Sequence, residues 1–224
     1  MSAIEFYECL NPTCRLRFPV VQGQLKNKRC PLCRSSMQLA ISLDNPIAGN
    51  PRVSSLDGWW VEALLDNVRS AWNVGSILRT ADGTGIKKLH LCGITPTPEN
   101  PRVSKTALGA ELNLPWAQAN NSLLLVDRLK AEGYRIWALE DTPEAVPLYE
   151  MELSVQLQPL VLIVGNEVCG VDPGLLSLCD QVLAIPMLGK KQSYNVAVAF
   201  GMAASFLFYR HSLSHGSRRI FPCT

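Results

Sequence analysis

The sequence predicts an α/β protein with a mainly parallel sheet, preceded by a small cysteine-rich module. Three observations predict it. Residues 160–164 and 181–185 are short apolar runs, the pattern of strands buried on both faces. Such runs alternate with helical patterns from residue 59 onward, the order of a parallel βα sheet. Four cysteines fall in two close pairs between residues 9 and 33.

The chain has 224 residues, enough for one medium domain and an appendage. Hydrophobic residues make up 47%, so a real core is expected and global disorder is not. The net charge of +2 selects no partner class, because only a surface patch facing phosphates has to be basic. No signal-peptide pattern opens the chain. The longest apolar stretch, residues 196–208, is shorter than the roughly 20 residues of a membrane span. The expectation is a cytoplasmic protein with no membrane partner.

Cys9 and Cys14 enclose Leu-Asn-Pro-Thr, and Cys30 and Cys33 enclose Pro-Leu. Each pair fits a tight turn that aims two thiolates at one point, and two such turns close a tetrahedron. The reading is a zinc-ribbon-like module over residues 1–43 with a structural zinc at Cys9, Cys14, Cys30 and Cys33; two disulfides or unrelated buried thiols are the alternatives. With four cysteine ligands no position is left for a catalytic water. Arg15, Arg17, Lys26, Lys28, Arg29 and Arg34 make the module locally basic, a phosphate contact or simply a solvated face. Residues 44–58 carry Asn-Pro, Gly-Asn-Pro and Ser-Ser and read as a linker.

In the main domain, residues 59–211, the first strand is expected over 59–65. A helix carrying Val74, Ile77, Leu78 and Ala81 follows, stopped by Gly83 and Gly85. Residues 88–92 read as a strand, 122–132 as a helix ended by Gly133, and 134–139 as a strand. After the buried run 160–164 come a short helix over 173–179, capped by Asp172, and the strand 181–185. A long apolar helix over 195–210 closes the domain, and residues 212–224 read as a loose tail. Ligands of such sheets bind where strands end, so Gly165-Asn166-Glu167 and the residues after Ile185 are candidate site segments. Gly189-Lys190-Lys191 lacks the upstream glycine and following Ser/Thr of a phosphate loop.

Three segments together resemble the SpoU-type RNA 2′-O-ribose methyltransferases of the SPOUT superfamily. The first has Asn73, Gly75 and Arg79 in the family's spacing. The second is the apolar strand running into Gly165-Asn166-Glu167 and then Gly170. The third runs from Ile185-Pro186-Met187 through a short loop to Ser193-Tyr194-Asn195-Val196-Ala197-Val198-Ala199. The resemblance implies a SPOUT fold with a C-terminal trefoil knot, a homodimer, a transfer or ribosomal RNA substrate and S-adenosylmethionine as donor. The zinc-ribbon-like module departs from the family's commoner N-terminal extensions.

The resemblance also implies site residues. Asn73, Arg79, Glu167, Ser193 and Asn195 are the expected catalytic set. Val164, Gly165, Asn166, Glu167, Gly170, Ile185, Met187, Leu188, Ser193 and Asn195 are expected to hold the cofactor. Arg79 is expected to grip phosphate or ribose, since a guanidinium with a pKa above about 12 is a poor base. Glu167 is expected to orient Arg79 or Asn73. Asn73, Ser193 and Asn195 are also candidate helix caps, and Gly165 is expected to let backbone approach the cofactor. Cys92, Cys169, Cys179 and Cys223 are expected to be apolar fillers. An inactive RNA-binding protein keeping the fold, and methylation of a base instead of a ribose, are the rival expectations.

Overall fold

The computed structural model describes residues 3–25, 27–44, 58–151 and 158–214. The chain divides into two compact units, residues 1–53 and 54–224. Most of the expected linker and tail, and Cys223 with them, lie outside the described residues.

The first unit is an antiparallel sheet of β1 (Ile4–Cys9), β2 (Arg17–Val21) and β3 (Met37–Leu43), with β1 in the centre. The cysteine spacing by itself does not predict these strands. Tyr7, Cys9, Cys30 and Met37 form its small buried core. Two of the four residues are metal-ligand candidates, so little apolar burial is left to stabilise so small a fold.

The second unit holds seven parallel strands in the order β6-β5-β4-β9-β7-β10-β8. They are β4 (Val61–Asp66), β5 (Leu89–Cys92), β6 (Trp116–Ala119), β7 (Arg135–Leu139), β8 (Val146–Pro147), β9 (Leu160–Val164) and β10 (Gln181–Ala184). The helices are α1 (Ala71–Gly83), α2 (Pro101–Ala107), α3 (Ser122–Ala131), α4 (Pro173–Leu178) and α5 (Val196–Ser214). The late strand β9 sits between β4 and β7, so the last third of the chain is threaded into the middle of the sheet.

Both sheet faces are covered, because successive strand residues point to opposite sides. Leu162 and Val164 of β9 join Ala63 and Leu65 of β4 in a cluster with Ile77, Leu78, Phe200 and Ala204 of α1 and α5. Val161 and Ile163 join Leu64 in the opposite cluster, with Leu125 of α3 and Leu175 of α4. Polar groups are buried there as well: Glu62 accepts from Tyr134 at 2.8 Å and lies 2.6 Å from the buried His90 Nε2. Burial pushes the Glu62 pKa up, but the bonds from His90 and Tyr134 outweigh it and hold the group below the usual carboxylate range.

Several boundaries differ from expectation. Trp59 precedes the first strand of this unit and donates its indole N–H to the Gly85 carbonyl at 2.9 Å. Helix α2 and strand β6 have no counterpart in the sequence assignment; α2 is a two-turn helix capped by Asn100 that buries only Val103 and Ala107, too few apolar positions to mark a face. Asp172 caps α4 as expected, donating no proton but accepting from Gly174 N at 2.7 Å. Helix α5 runs four residues past Arg210, to Ser214, and by length and composition alone it is long and apolar enough to cross a membrane. Instead, Phe200, Ala203, Ala204 and Leu207 are buried in the core beside α1.

Candidate active site and metal centre

Strand ends place the site. The β4–α1 connection begins with Asp66, only 1% exposed, which accepts from Asn67 and Ser122 side chains at 2.9 Å and from Asp172 N at 3.2 Å. These bonds fix the loop that carries Arg69 and Ser70. Ser70, not Asn73, caps α1, accepting from Asn73 N at 3.3 Å.

The segment after β9 is a tight loop in which Asn166 and Gly170 exchange two backbone bonds of 2.9 Å. Asn166 Oδ1 accepts from Val168 N and Cys169 N, and its Nδ2 donates to the Asn67 carbonyl at 2.7 Å. Asn166 therefore ties its own loop to the β4–α1 loop. Gly165 also meets a need within the chain. A Cβ there would overlap the Gly170 carbonyl group and Val171 N, so the close approach is chain on chain. Gly170 has φ +73°, and a Cβ on it would run into Glu140.

Glu167 receives the tip of α1. Its Oε2 accepts from Arg69 N, and its Oε1 from Ser70 N and Asn73 Nδ2, each at 2.9 Å. Burial raises the Glu167 pKa, yet those donors outweigh it and hold the carboxyl below its ordinary value. A negative charge at a helix N-terminus is favourable as well. Of the two expected partners, Glu167 thus orients Asn73 and not Arg79. Asn73 Oδ1 in turn accepts from Asn195 Nδ2 at 3.1 Å, and Asn195 Oδ1 accepts from Ala197 N at 2.9 Å, capping α5. Capping and site placement coexist at Asn195.

Beside this chain lies a cavity of about 440 Å³. Its walls come from the ends of β7 and β9 and from the segment between β10 and α5. Val164, Gly165, Asn166, Glu167, Gly170, Ile185, Met187, Ser193 and Asn195 line it. Of the expected cofactor residues only Leu188 does not; its side chain is fully exposed. Sequence analysis missed Leu139, Glu140 and Asp141, which line the cavity where β7 ends. Glu140 accepts from Val171 N at 2.8 Å and so braces the β9 loop. The signal was available, since the strand over 134–139 runs into two acids at its carboxyl end. Cys92 is a buried filler as expected, its thiol pushed up to about 12 by burial and then by Asp66, whereas Cys169 is exposed.

Arg79 is not brought to this cavity. It is exposed, six residues beyond Asn73 on α1, which places it about 9 Å further along the helix. Six residues turn the helix through about 240°, so the two side chains leave on different faces. Among the described residues it forms no ion pair.

In the first unit, the sulfur atoms of Cys9, Cys14, Cys30 and Cys33 all lie within 4.8 Å of one another. Cys9 and Cys33 are 3.4 Å apart, and Cys14 and Cys30 3.7 Å. Thiolates at the zinc–sulfur distance of about 2.3 Å stand about 3.8 Å apart in a tetrahedron, so the cluster fits one zinc ion. Arg15 and Arg34, each following the second cysteine of its turn, have φ of 46° and 65°. Their left-handed backbone closes the turns. Hydrogen bonds from Ser35 draw the Cys33 thiol down to about 6, while burial pushes Cys9 up to about 12. A central dication would favour the thiolate at all four.

A sheet of seven parallel strands with a polar cavity at the strand ends, edged by an Asn–Glu–Asn constellation, defines the class of protein. Residues 61–205 match the SpoU rRNA methylase family, and the chain belongs to it, with the SPOUT fold. Its relatives include the 23S rRNA (guanosine(2553)-2′-O)-methyltransferase RlmP of Bacillus subtilis, 36% identical over 61% of this chain and 53% of that one. The tRNA (guanosine(18)-2′-O)-methyltransferase of Escherichia coli is 30% identical over 60% of this chain and 57% of its own. The chain spans about half the length of the curated relatives it matches. Among solved structures, the S-adenosylmethionine-bound rRNA methyltransferase of Sinorhizobium meliloti superposes with a TM-score of 0.63 at 28% identity, over 68% of this chain and 57% of that one.

Proposed function

We propose that this protein transfers a methyl group from S-adenosylmethionine to a ribose 2′-hydroxyl of transfer or ribosomal RNA. The observation that carries the reading is the hydrogen-bonded chain Glu167–Asn73–Asn195 at the edge of the cavity. It holds two side-chain amides, donors and acceptors both, where a ribose would meet the donor.

The cavity suits the cofactor: its volume lies in the range of small-molecule sites, and its backbone turns after β9 and β10 offer peptide groups. Val164, Gly165, Ile185, Met187 and Ser193 would hold it. The bound cofactor supplies a methyl group activated by a sulfonium charge, so alignment is the protein's main task. Asn73 and Asn195 orient the ribose. Glu167 is no free base, because Arg69 N engages one of its oxygens, Ser70 N and Asn73 Nδ2 engage the other, and its pKa is held down. The hydroxyl proton passes to a phosphate oxygen of the RNA that Arg79 grips.

The metal-ligand turns help dock the RNA. Arg15 and Arg17 pair with Glu8 at 3.8 and 3.5 Å, but Lys28, Arg29 and Arg34 of the second turn make no ion pair among the described residues. The second turn is therefore the phosphate contact. We assign the remaining apolar face of α5, with Val198, Tyr209 and Leu213 each more than half exposed, to a homodimer. Tyr209→Glu should then halve the mass in sedimentation. A cytoplasmic location goes with this reading.

Methyl incorporation from labelled S-adenosylmethionine into RNA, followed by ribose-methylation maps of cells with and without the protein, tests the activity. A lost 2′-O-methyl site in the deletion supports it. Calorimetric cofactor binding with no RNA labelling, or a mapped product on a base, overturns it. The exposed position of Arg79 is what favours the rival, an inactive RNA-binding protein. Failure to bind S-adenosylmethionine at all would select that reading.

A further inference from the structure

Helix α1 presents an exposed stripe that the cavity does not use. Trp72 and Arg79 are seven residues apart, so they share one face, about two turns or ~10 Å from each other. Trp72 keeps 50% of its surface exposed although it directly precedes Asn73. An indole left this open next to a functional constellation is not there to fill the core.

Helix α2 sets cations beside the stripe. Gly75 allows this, since a Cβ there would lie 2.7 Å from Thr106 Cβ and 3.1 Å from Ala107 N. The resulting close packing brings Lys105 Nζ to 5.9 Å from the Trp72 ring centroid. Arg102 lies three residues before Lys105, on the same side of α2, and is exposed. Among the described residues, neither Arg79, Arg102 nor Lys105 pairs with a carboxylate. A half-open aromatic ring flanked by unneutralised cations matches the chemistry of a single-stranded nucleic-acid platform.

We propose that Trp72 stacks an unpaired base next to the methylated nucleotide, with Lys105 and Arg79 taking the neighbouring phosphates. The occupant is an RNA strand for two reasons: the charge is complementary, and the platform continues directly into Asn73. A base stacked on Trp72 fixes the strand one residue away from the amides that hold the ribose. The proposal rests on the RNA methyltransferase reading above, and it accounts for an Arg79 that is exposed and does not line the cavity.

Trp72→Ala, Trp72→Phe and Lys105→Ala test it. The measurements are affinity for a labelled single-stranded RNA oligonucleotide and methyl transfer to total RNA from cells lacking the protein. Trp72→Ala should raise Kd and KM about tenfold or more, and Trp72→Phe should recover most of the loss. Lys105→Ala should raise both and flatten their salt dependence. Calorimetric affinity for S-adenosylmethionine and the sedimentation mass should match the wild type in all three. Wild-type Kd and KM in Trp72→Ala would overturn the proposal, as would a change in its sedimentation mass, which would make the face a contact between copies. If the wild-type chain labels no RNA, the methyltransferase reading falls by itself, and the Kd comparison still decides the platform.

Discussion

Asn195 reaches Asn73 across 122 residues of chain, its Nδ2 donating to Asn73 Oδ1 at 3.1 Å. The bond joins the start of α5 to the start of α1. Its direction is set one step earlier. Glu167 can only accept, so the Asn73 amide must turn its NH2 toward the carboxylate and its oxygen toward Asn195.

That dependence makes Glu167→Gln informative. A glutamine side chain has one oxygen where three donors now share two. At least one of these donors loses its acceptor, Arg69 N if the amide nitrogen takes the Oε2 position, and melting should show a cost of about 1–3 kcal/mol. Single-turnover methyl transfer should fall further than stability explains, because Asn73 is then held by a neutral amide, a weaker acceptor than a carboxylate. The pH dependence follows from the lowered pKa. The carboxylate's stabilising bonds are complete above the unfolded value of about 4.3 and are lost as pH falls through the lower folded value. Melting temperature should therefore drop on acidification in the wild type, and less so in Glu167→Gln.

Arg79→Ala separates substrate handling from cofactor binding. Arg79 does not line the cavity, so calorimetry should find affinity for S-adenosylmethionine unchanged within about twofold. Methyl transfer to RNA should fall about a hundredfold or more, in line with the loss of a positioned cation. A matching loss of cofactor affinity would contradict the geometry.

Gly165→Ala should destabilise the second unit by about 1–3 kcal/mol, read as a lower melting temperature. The added methyl meets the backbone of Gly170 and Val171, which cannot swing aside as a side chain would.

Elemental analysis should find one zinc per chain. Cys30→Ser should lose it and unfold the first unit, seen as protease sensitivity, because Cys30 is both a buried core residue and a candidate ligand. The second unit should keep its cofactor affinity.

Much of this was legible in the residues. The four cysteines are close in sequence and sit on turns, so spacing alone predicted their convergence. The strand β9 announced itself as five apolar residues, because burial on both faces leaves no room for alternation. Helix α2 and strand β6 were invisible for the converse reason: α2 buries only Val103 and Ala107, and β6 buries no residue fully, so neither shows an apolar face. Leu188 was grouped with the cofactor residues yet does not line the cavity, because motif membership says nothing about which way a side chain points.

Periodicity and spacing were enough for the α/β architecture, the cysteine turns and the identity of the polar segments at strand ends. That Glu167 holds Asn73, that Glu140 braces the loop from Gly165 to Gly170, and that Arg79 stays out of the cavity came from the folded chain. The physical reason is that periodicity and turn chemistry are local, whereas these contacts depend on strand order. Placing β9 between β4 and β7 brings the Glu167 loop to the tip of α1 on one side and to Glu140 on the other.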